Sequence, residues 1–480
     1  MLLFQLLDRV LGLVSILILV RLLSPADFGI VAMAISFVAM AEMLTALRFD
    51  IALIQHSNPS DEHFHSAWTC NVILGCAVTA ILLLLAWPAA QFYQQAEVFW
   101  VLCALAFGPL LVSVENIGVV RFRIELQFRK EFTFRAIRRL IAFMVALPLA
   151  FMLRNYWALV GGILMTKLGG SVLSYMSHEF RPRFCLTKVK ELFGFSKWML
   201  LNSFVGFFKE HAADFVVGRL HGAKSLGLYG ISYEIANLPT ADLSAPINRA
   251  LLPGFARISA SDELRTTYGN AMGAVTLIGL PVAAGIYAVA PFLVPVALGS
   301  AWLESTALVE VLAFNGAVMM SHSSIGAVLM SKGLSRDIVK ANVWYVILLL
   351  AMLAVLVPRH GALGAAYAVL GTAVVMTPGF LYLMKRRLGV GMRVFASAIV
   401  RPLVASILMA MIVRWVLPVY ERSMSMHHAA SVLIGGVALG IFVYGCSIVL
   451  LWVVVGRPVG VERIVFERIR ETISGLRSRR

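Results

Sequence analysis

The chain has 480 residues, 60% of them apolar and only 14% charged, and its mean hydropathy is +0.86. So little charge on so much apolar surface excludes an ordinary soluble domain. The net charge of +16 follows particular loops rather than one face, which excludes nucleic acid as the partner.

Apolar runs long enough to span a bilayer occur at 2–22, 29–50, 66–86, 98–120, 137–153 and 156–176. The first has no basic leader and no A-x-A cleavage site and runs straight into Arg21, so it reads as a retained helix. A second set follows at 198–218, 226–250, 270–290, 305–330, 339–357 and 361–384, and a last pair at 396–417 and 429–455. No stretch alternates apolar and polar residues as a barrel strand must. The predicted fold class is an all-α integral membrane protein of fourteen transmembrane helices, two six-helix repeats around a central cavity plus a C-terminal helix pair. The predicted domains are an N-terminal half (1–180), a basic cytoplasmic linker (181–197), a C-terminal half (198–392), an appended helix pair (393–456) and a basic tail (457–480). In the tail, Val461, Val465, Ile469, Ile473 and Leu476 recur at helical spacing among charged residues, which predicts an amphipathic interfacial helix.

The two sets of six carry a repeat. Arg21-Leu22-Leu23-Ser24-Pro25-Ala26-Asp27-Phe28-Gly29-Ile30 aligns with Arg219-Leu220-His221-Gly222-Ala223-Lys224-Ser225-Leu226-Gly227-Leu228, an offset of 198 residues. Weaker echoes pair Ile117-Gly118 with Ile325-Gly326. A duplicated membrane unit of this size is the pattern of a transporter whose halves flank a central path.

Charge sets the orientation. With both termini in the cytoplasm, the loops on that side hold 29 of the 41 Lys and Arg residues, including seven in 121–139, five in 181–197 and seven in 457–480. That is the positive-inside asymmetry, and it brings anionic lipid to the inner surface.

Little in the chain points to chemistry. Cys70, Cys76, Cys103, Cys185 and Cys446 lack C-x-x-C spacing, and His56, His63 and His65 have no further ligand near them, so neither a metal nor any other cofactor is expected. A P-loop and a D-x-D are both absent and no outward loop is long, which argues against an enzyme.

The loop motifs, taken in order, resemble the polysaccharide flippases (Wzx-type) of the multidrug/oligosaccharidyl-lipid/polysaccharide exporter superfamily. The resemblance is carried by Arg21 to Gly29, Ala52-Leu53-Ile54-Gln55, Glu125-Leu126-Gln127-Phe128-Arg129 and Trp157-Ala158-Leu159-Val160. In the second half it is carried by Asp214 to Leu220, Gly227-Leu228-Tyr229, Leu238-Pro239, Pro246-Ile247-Asn248-Arg249 and Leu298-Gly299. It covers roughly residues 17–390. The resemblance implies a secondary transporter of the bacterial inner membrane that moves a polyprenyl-diphosphate-linked oligosaccharide to the outer leaflet, for O-antigen or exopolysaccharide synthesis. It also implies membrane lipids, a polysaccharide polymerase and glycosyltransferases as partners. A multidrug exporter of the same superfamily and a lipid-linked peptidoglycan precursor flippase are the alternatives.

Ionisable residues inside spans are expensive and mark pathways. Lys209, Arg249, Lys167 and Arg48 are the cationic candidates for gripping a lipid diphosphate, since guanidinium and ammonium groups suit phosphate. Glu210 and Asp214, four residues apart on one helix face, are the candidates for coupling an ion, because two nearby carboxylates in a low dielectric repel.

Overall fold

The computed structural model describes residues 2–43, 49–55, 59–192, 197–258 and 261–456. Among these there is no strand; turns and one extended segment join the helices. Nine helices are long and apolar enough to cross a membrane, or ten if one bent pair counts as a single span. The amphipathic helix expected in 457–480 lies outside the described residues.

The chain forms two compact units, Met1–Gly230 and Ile231–Arg480. The first contains α1 (Leu2–Leu22), α2 (Pro25–Glu42), α3 (Phe49–Gln55), α4 (Asp61–Tyr93), α5 (Glu97–Leu105), α6 (Phe107–Ser113), α7 (Arg121–Ile124), α8 (Phe128–Leu153), α9 (Tyr156–Ser177), α10 (Val189–Leu192) and the beginning of α11 (Lys197–Arg257). Sequence fixes several of these ends. Ser24 caps α2 with Pro25 in its first turn, and the Ser24 N–H donates to Asp27 at 3.0 Å while the Asp27 N–H donates back to Ser24 Oγ at 3.3 Å. That reciprocal box satisfies two otherwise orphaned amides. Ser60 caps α4 in the same way with His63 as its acceptor.

Two helices are far longer than a bilayer is thick. α11 has 61 residues and α14 (Ser335–Leu388) has 54, and each leaves helical geometry at one glycine, Gly222 (φ 75°) and Gly361 (φ 60°). Gly222 falls between two expected apolar runs and Gly361 at the start of another, and at both a left-handed φ favours a residue without Cβ.

Elsewhere the boundaries differ from expectation. The run 98–120 is not one straight helix: it divides into α5, α6 and a 3-10 turn at Ile117–Val120, and the parts are bent by 63°. Asn116 breaks it. Its backbone N–H donates to Ser174 at 2.8 Å, its carboxamide donates to the carbonyls of His178 and Phe180, and its Oδ1 accepts from Gly118. The basic segment 128–139, expected as loop, is the start of α8, because Glu131 holds both Arg135 one turn on and Arg123 before it.

The repeated loops meet. A Cβ built on Gly29 would strike the carbonyl of Ala223, and a Cβ built on Gly227 would strike the carbonyl of Pro25. Gly29 aligns with Gly227, and Pro25 with Ala223, so the contact is reciprocal, as a two-fold relation requires. Within the first unit, the segment Arg219–Leu228 thus packs on the segment Arg21–Ile30.

The second unit continues α11 from Ile231 into α12 (Ser261–Ala297), a 3-10 turn at Ser300–Trp302, α13 (Ser305–Ser331), α14, α15 (Met392–Val416) and α16 (Met426–Val454). α15 lies on α12 through Ala284, Ala288, Met409, Ala410 and Val413. Small side chains let membrane helices approach closely. Thr276 Oγ1 donates to the carbonyl of Ala398 at 2.8 Å, and Tyr444 donates to that of Leu277 at 2.8 Å.

Candidate functional site

In the first unit, the early turns of α11 carry Lys209, Glu210, His211 and Asp214 on consecutive faces. Asp214 takes its hydrogen bond from His211 Nδ1 at 3.0 Å, with the two side chains about a quarter exposed. Glu210 is exposed, so the acid's close partner is the imidazole rather than the second carboxylate. Aromatic rings pack around this pair. His211 lies 5.4 Å from Phe207, and Phe215 lies 5.4 Å from Phe37 and 6.3 Å from Tyr93. Tyr93 in turn shares a hydrogen bond with Ser36 at 2.9 Å. Lys209 is half-buried one turn before, on the same helix.

Several other cations of this unit sit beside acids. Lys167 of α9 donates to Glu42 of α2 at 3.3 Å, and its ammonium lies against Gly108. Arg138 of α8 meets Glu115 at 2.9 Å beside Gly170, whose missing side chain makes room for them. Glu131, only 6% exposed, holds both Arg123 and Arg135. Arg48 lies outside the described residues. Arg249 is on the α11 backbone, and its side chain is likewise outside them.

Thus Lys209 and Asp214 share one helix, Lys167 belongs to a separate ion pair, and the neutralising acids Glu42, Glu115 and Glu131 were not anticipated. The one legible signal was Glu131 with Arg135 at i,i+4. Glu42 and Glu115 meet their partners at sequence separations of 125 and 23 residues, which no local pattern records.

The linker after α9 forms an ordered strap. From His178 to Leu186 it crosses the start of α4 in extended form and then turns into α10. The Arg183 N–H donates to His65 Nδ1 at 2.9 Å, the Cys185 N–H to Thr69 at 2.9 Å and the Lys188 N–H to Ser66 at 3.2 Å. His63 meets Glu191 at 3.0 Å, and Arg121 lies over the rings of Phe64 and Phe180. Burial, then the nearby Arg121, holds the His178 imidazole below its ordinary value. Glu191 is held below the usual carboxylate range by its hydrogen bonds from Lys188 and His63.

The second unit uses neutral groups. Asn315, fully buried on α13, donates to Asn237 at 3.4 Å, and Asn237 donates to the Tyr233 carbonyl at 2.9 Å. Two turns along α13, His322 pairs with Thr377 at 2.9 Å. Its clearest ion pairs are near helix ends, Arg414 with Glu310 and Arg387 with Asp337, each at 2.8 Å.

A protein-family profile described as "Polysaccharide biosynthesis protein" matches residues 18–307. The chain belongs to that family. It is 24% identical over 451 residues to the succinoglycan biosynthesis transport protein ExoT of Rhizobium meliloti, covering 91% of this chain and 89% of the relative. It is 23% identical over 381 residues to the lipopolysaccharide biosynthesis protein WzxC of Escherichia coli K12, covering 76% of each. Among solved structures, the fold matches the lipid II flippase MurJ in an inward closed conformation with a TM-score of 0.73 at 10% identity, over 94% of this chain and 99% of that one. An inward-facing multidrug resistance MATE transporter gives 0.51 at 14% identity over 79% of this chain and 94% of that one. This polysaccharide biosynthesis protein therefore has the helical membrane fold of MurJ-like transporters.

Proposed function

We propose that this polysaccharide biosynthesis protein is a flippase. It moves a polyprenyl-diphosphate-linked oligosaccharide from the cytoplasmic to the outer leaflet of a bacterial inner membrane, for O-antigen or exopolysaccharide synthesis. The observation that carries the reading is the family match over residues 18–307, on a fold whose repeated loops meet reciprocally at Gly29 and Gly227. Fourteen spans with both termini in the cytoplasm accord with the charge asymmetry and with the glycine breaks that divide α11 and α14. The chain performs no covalent chemistry in this reading. Its partners are the lipid-linked substrate, the surrounding lipids, a polymerase and glycosyltransferases.

Lys209, Arg249, Lys167 and Arg48 form the cationic path for the diphosphate. Lys167 starts paired with Glu42, so a phosphate must exchange with that carboxylate, which makes binding reversible rather than a trap. Glu210 and Asp214 are the ion-coupling residues, with His211 as the partner through which Asp214 responds. Protonating the pair removes a charge interaction that biases one state over another. An inside-negative potential also favours outward movement of an anion, by ~2.3 kcal/mol per charge per 100 mV.

The test is transport by the full chain in proteoliposomes. Wild type should flip a polyprenyl-diphosphate oligosaccharide, and Lys209→Gln with Arg249→Gln should lower the rate at least tenfold at unchanged membrane abundance. Wild-type rates in that double variant overturn the cationic path. A chain that moves a lipophilic drug but not the polyprenyl diphosphate is a multidrug exporter instead.

A further inference from the structure

The C-terminal helix pair lies beyond the family-matched stretch, yet it builds a second site within the second unit. A half-open cavity of about 410 Å³ lies between α12, the turn leading into α13 and the loop that joins α15 to α16. Its polar wall is Arg414, Arg422, Thr306 and Tyr420, over apolar surface from Phe292 and Leu417. That volume is in the range of small-ligand sites, about 300–1,000 Å³.

The two arginines differ in a way that defines the ligand. Arg414 is fixed in place. One of its Nη atoms donates to the Tyr287 carbonyl at 2.9 Å and to Glu310 at 2.8 Å, and its guanidinium lies 4.9 Å from the Tyr287 ring centroid. Glu310 neutralises it, but a guanidinium has five N–H donors, so donors remain for a ligand. Arg422 is exposed and, among the described residues, has no acidic partner; the neighbouring Glu421 accepts from Ser423. The wall therefore carries one uncompensated positive charge and two guanidinium forks.

Val419, which lines the cavity, is 84% exposed, and the adjoining end of α15 exposes Trp415 at 86% and Val416 at 52%. Such a surface beside a charged pocket suits a molecule with an anionic head and hydrocarbon tails.

We propose that this pocket binds the phosphate headgroup of an anionic membrane phospholipid, with Arg414 and Arg422 on the phosphodiester and the acyl chains along Trp415, Val416 and Val419. A phosphodiester carries one negative charge, which matches the one charge left uncompensated. A diphosphate brings more charge than the pocket balances, so the transported lipid is not its ligand. The orientation proposed above puts this loop outside, so the lipid belongs to the outer leaflet; binding itself does not depend on that assignment.

The experiment measures lipid binding to the purified full chain in detergent, by native mass spectrometry and by the shift in thermal unfolding. Phosphatidylglycerol should bind at least tenfold more tightly than phosphatidylcholine, and millimolar inorganic phosphate should not displace it. Arg422→Gln should weaken phosphatidylglycerol at least tenfold while leaving the lipid-free unfolding temperature unchanged, because Arg422 is exposed. Arg422→Lys should recover part of the affinity, since charge returns without the fork. Thr306→Trp, which fills the space, should also abolish the preference. Equal binding of the two lipids, or unchanged affinity in both Arg422→Gln and Thr306→Trp, overturns the proposal. Displacement by inorganic phosphate replaces it with a small-anion site. None of these assays involves flipping, so failure here leaves the transport reading standing.

Discussion

The two units hold their polar interiors together with different chemistry. In the first, ion pairs join separate elements, Lys167 with Glu42, Arg138 with Glu115 and Arg123 with Glu131, beside the intrahelical pairs Glu131–Arg135 and His211–Asp214 and neutral bonds such as Ser36–Tyr93. In the second, Asn315 bonds Asn237 and His322 bonds Thr377, and small residues bring α12 and α15 together. The difference matters because a neutral hydrogen bond has little reason to change along a transport path. An ion pair exchanges readily when an anionic headgroup or a proton arrives. The ionic contacts of the first unit are therefore the ones whose strength depends on charge and salt.

The largest effect should come from the glycines. Gly227→Ala sets a methyl against the Pro25 carbonyl, so the repeated loops must separate. Overpacking of this kind costs about 1–3 kcal/mol, and here it falls on a backbone contact that cannot rotate away. In the second unit, Gly326 has nothing within 4 Å of an added Cβ and lies inside α13. Gly326→Ala should instead stabilise the chain by about 0.5–1 kcal/mol through helix propensity. Thermal unfolding of the two purified variants should therefore move in opposite directions. A rise for both removes the loop contact from the argument.

Next in size is the direct contrast of chemistries. Glu131→Gln leaves Arg123 and Arg135 without their acid. Both arginines are about 40% exposed, so the loss is expected at about 1–2 kcal/mol, below that of a fully buried pair. Thr377→Val removes one neutral bond to His322 and should cost about 1 kcal/mol. The sharper readout is salt. The Glu131→Gln deficit should shrink between 0.05 and 0.5 M salt, on the order of the screening expected for partly exposed charges, whereas the Thr377→Val deficit should not. Equal salt dependence in the two variants erases the distinction between the units.

What the sequence made legible follows the same division. The helical membrane character was readable because apolar runs of bilayer length have few alternatives, whereas the break at Gly361 falls on the first residue of an expected run. The repeat was readable as a pattern, but not the contact between its copies, which needs Gly29 and Gly227 side by side in space. Counting the arginines of 121–139 as loop hid the helix that Glu131 organises. The candidate cations were found by their cost in an apolar run. The acid beside Lys167 was not, since Glu42 stands at a helix end where a carboxylate excites no suspicion. That His211 bonds Asp214 depends on the orientation of the ring, which the sequence does not give.

The smallest expected effect concerns the strap that crosses α4, and it tests whether the first unit's responsiveness extends beyond ion pairs. His178 Nδ1 accepts the Phe180 N–H at 3.0 Å, and the Asn116 carboxamide donates to the carbonyls of both strap residues. Acceptance at Nδ1 requires a neutral ring there. Burial lowers the His178 pKa, with Arg121 and Lys130 acting in the same direction and Glu125 and Glu179 opposing. A base whose folded value is depressed binds fewer protons folded than unfolded. The strap's stability is therefore fully present above the ordinary histidine value of about 6.5 and falls as the pH drops through and below it. Hydrogen exchange at the amides of Phe180 and Arg183, corrected for intrinsic rates, should speed up several-fold between pH 7.5 and pH 5.5. Asn at position 178 offers a non-titrating acceptor, so His178→Asn should keep the Phe180 amide protected and flatten its pH response. Exchange that is pH-independent in wild type, or that accelerates equally in His178→Asn, shows that the strap is held without regard to this imidazole.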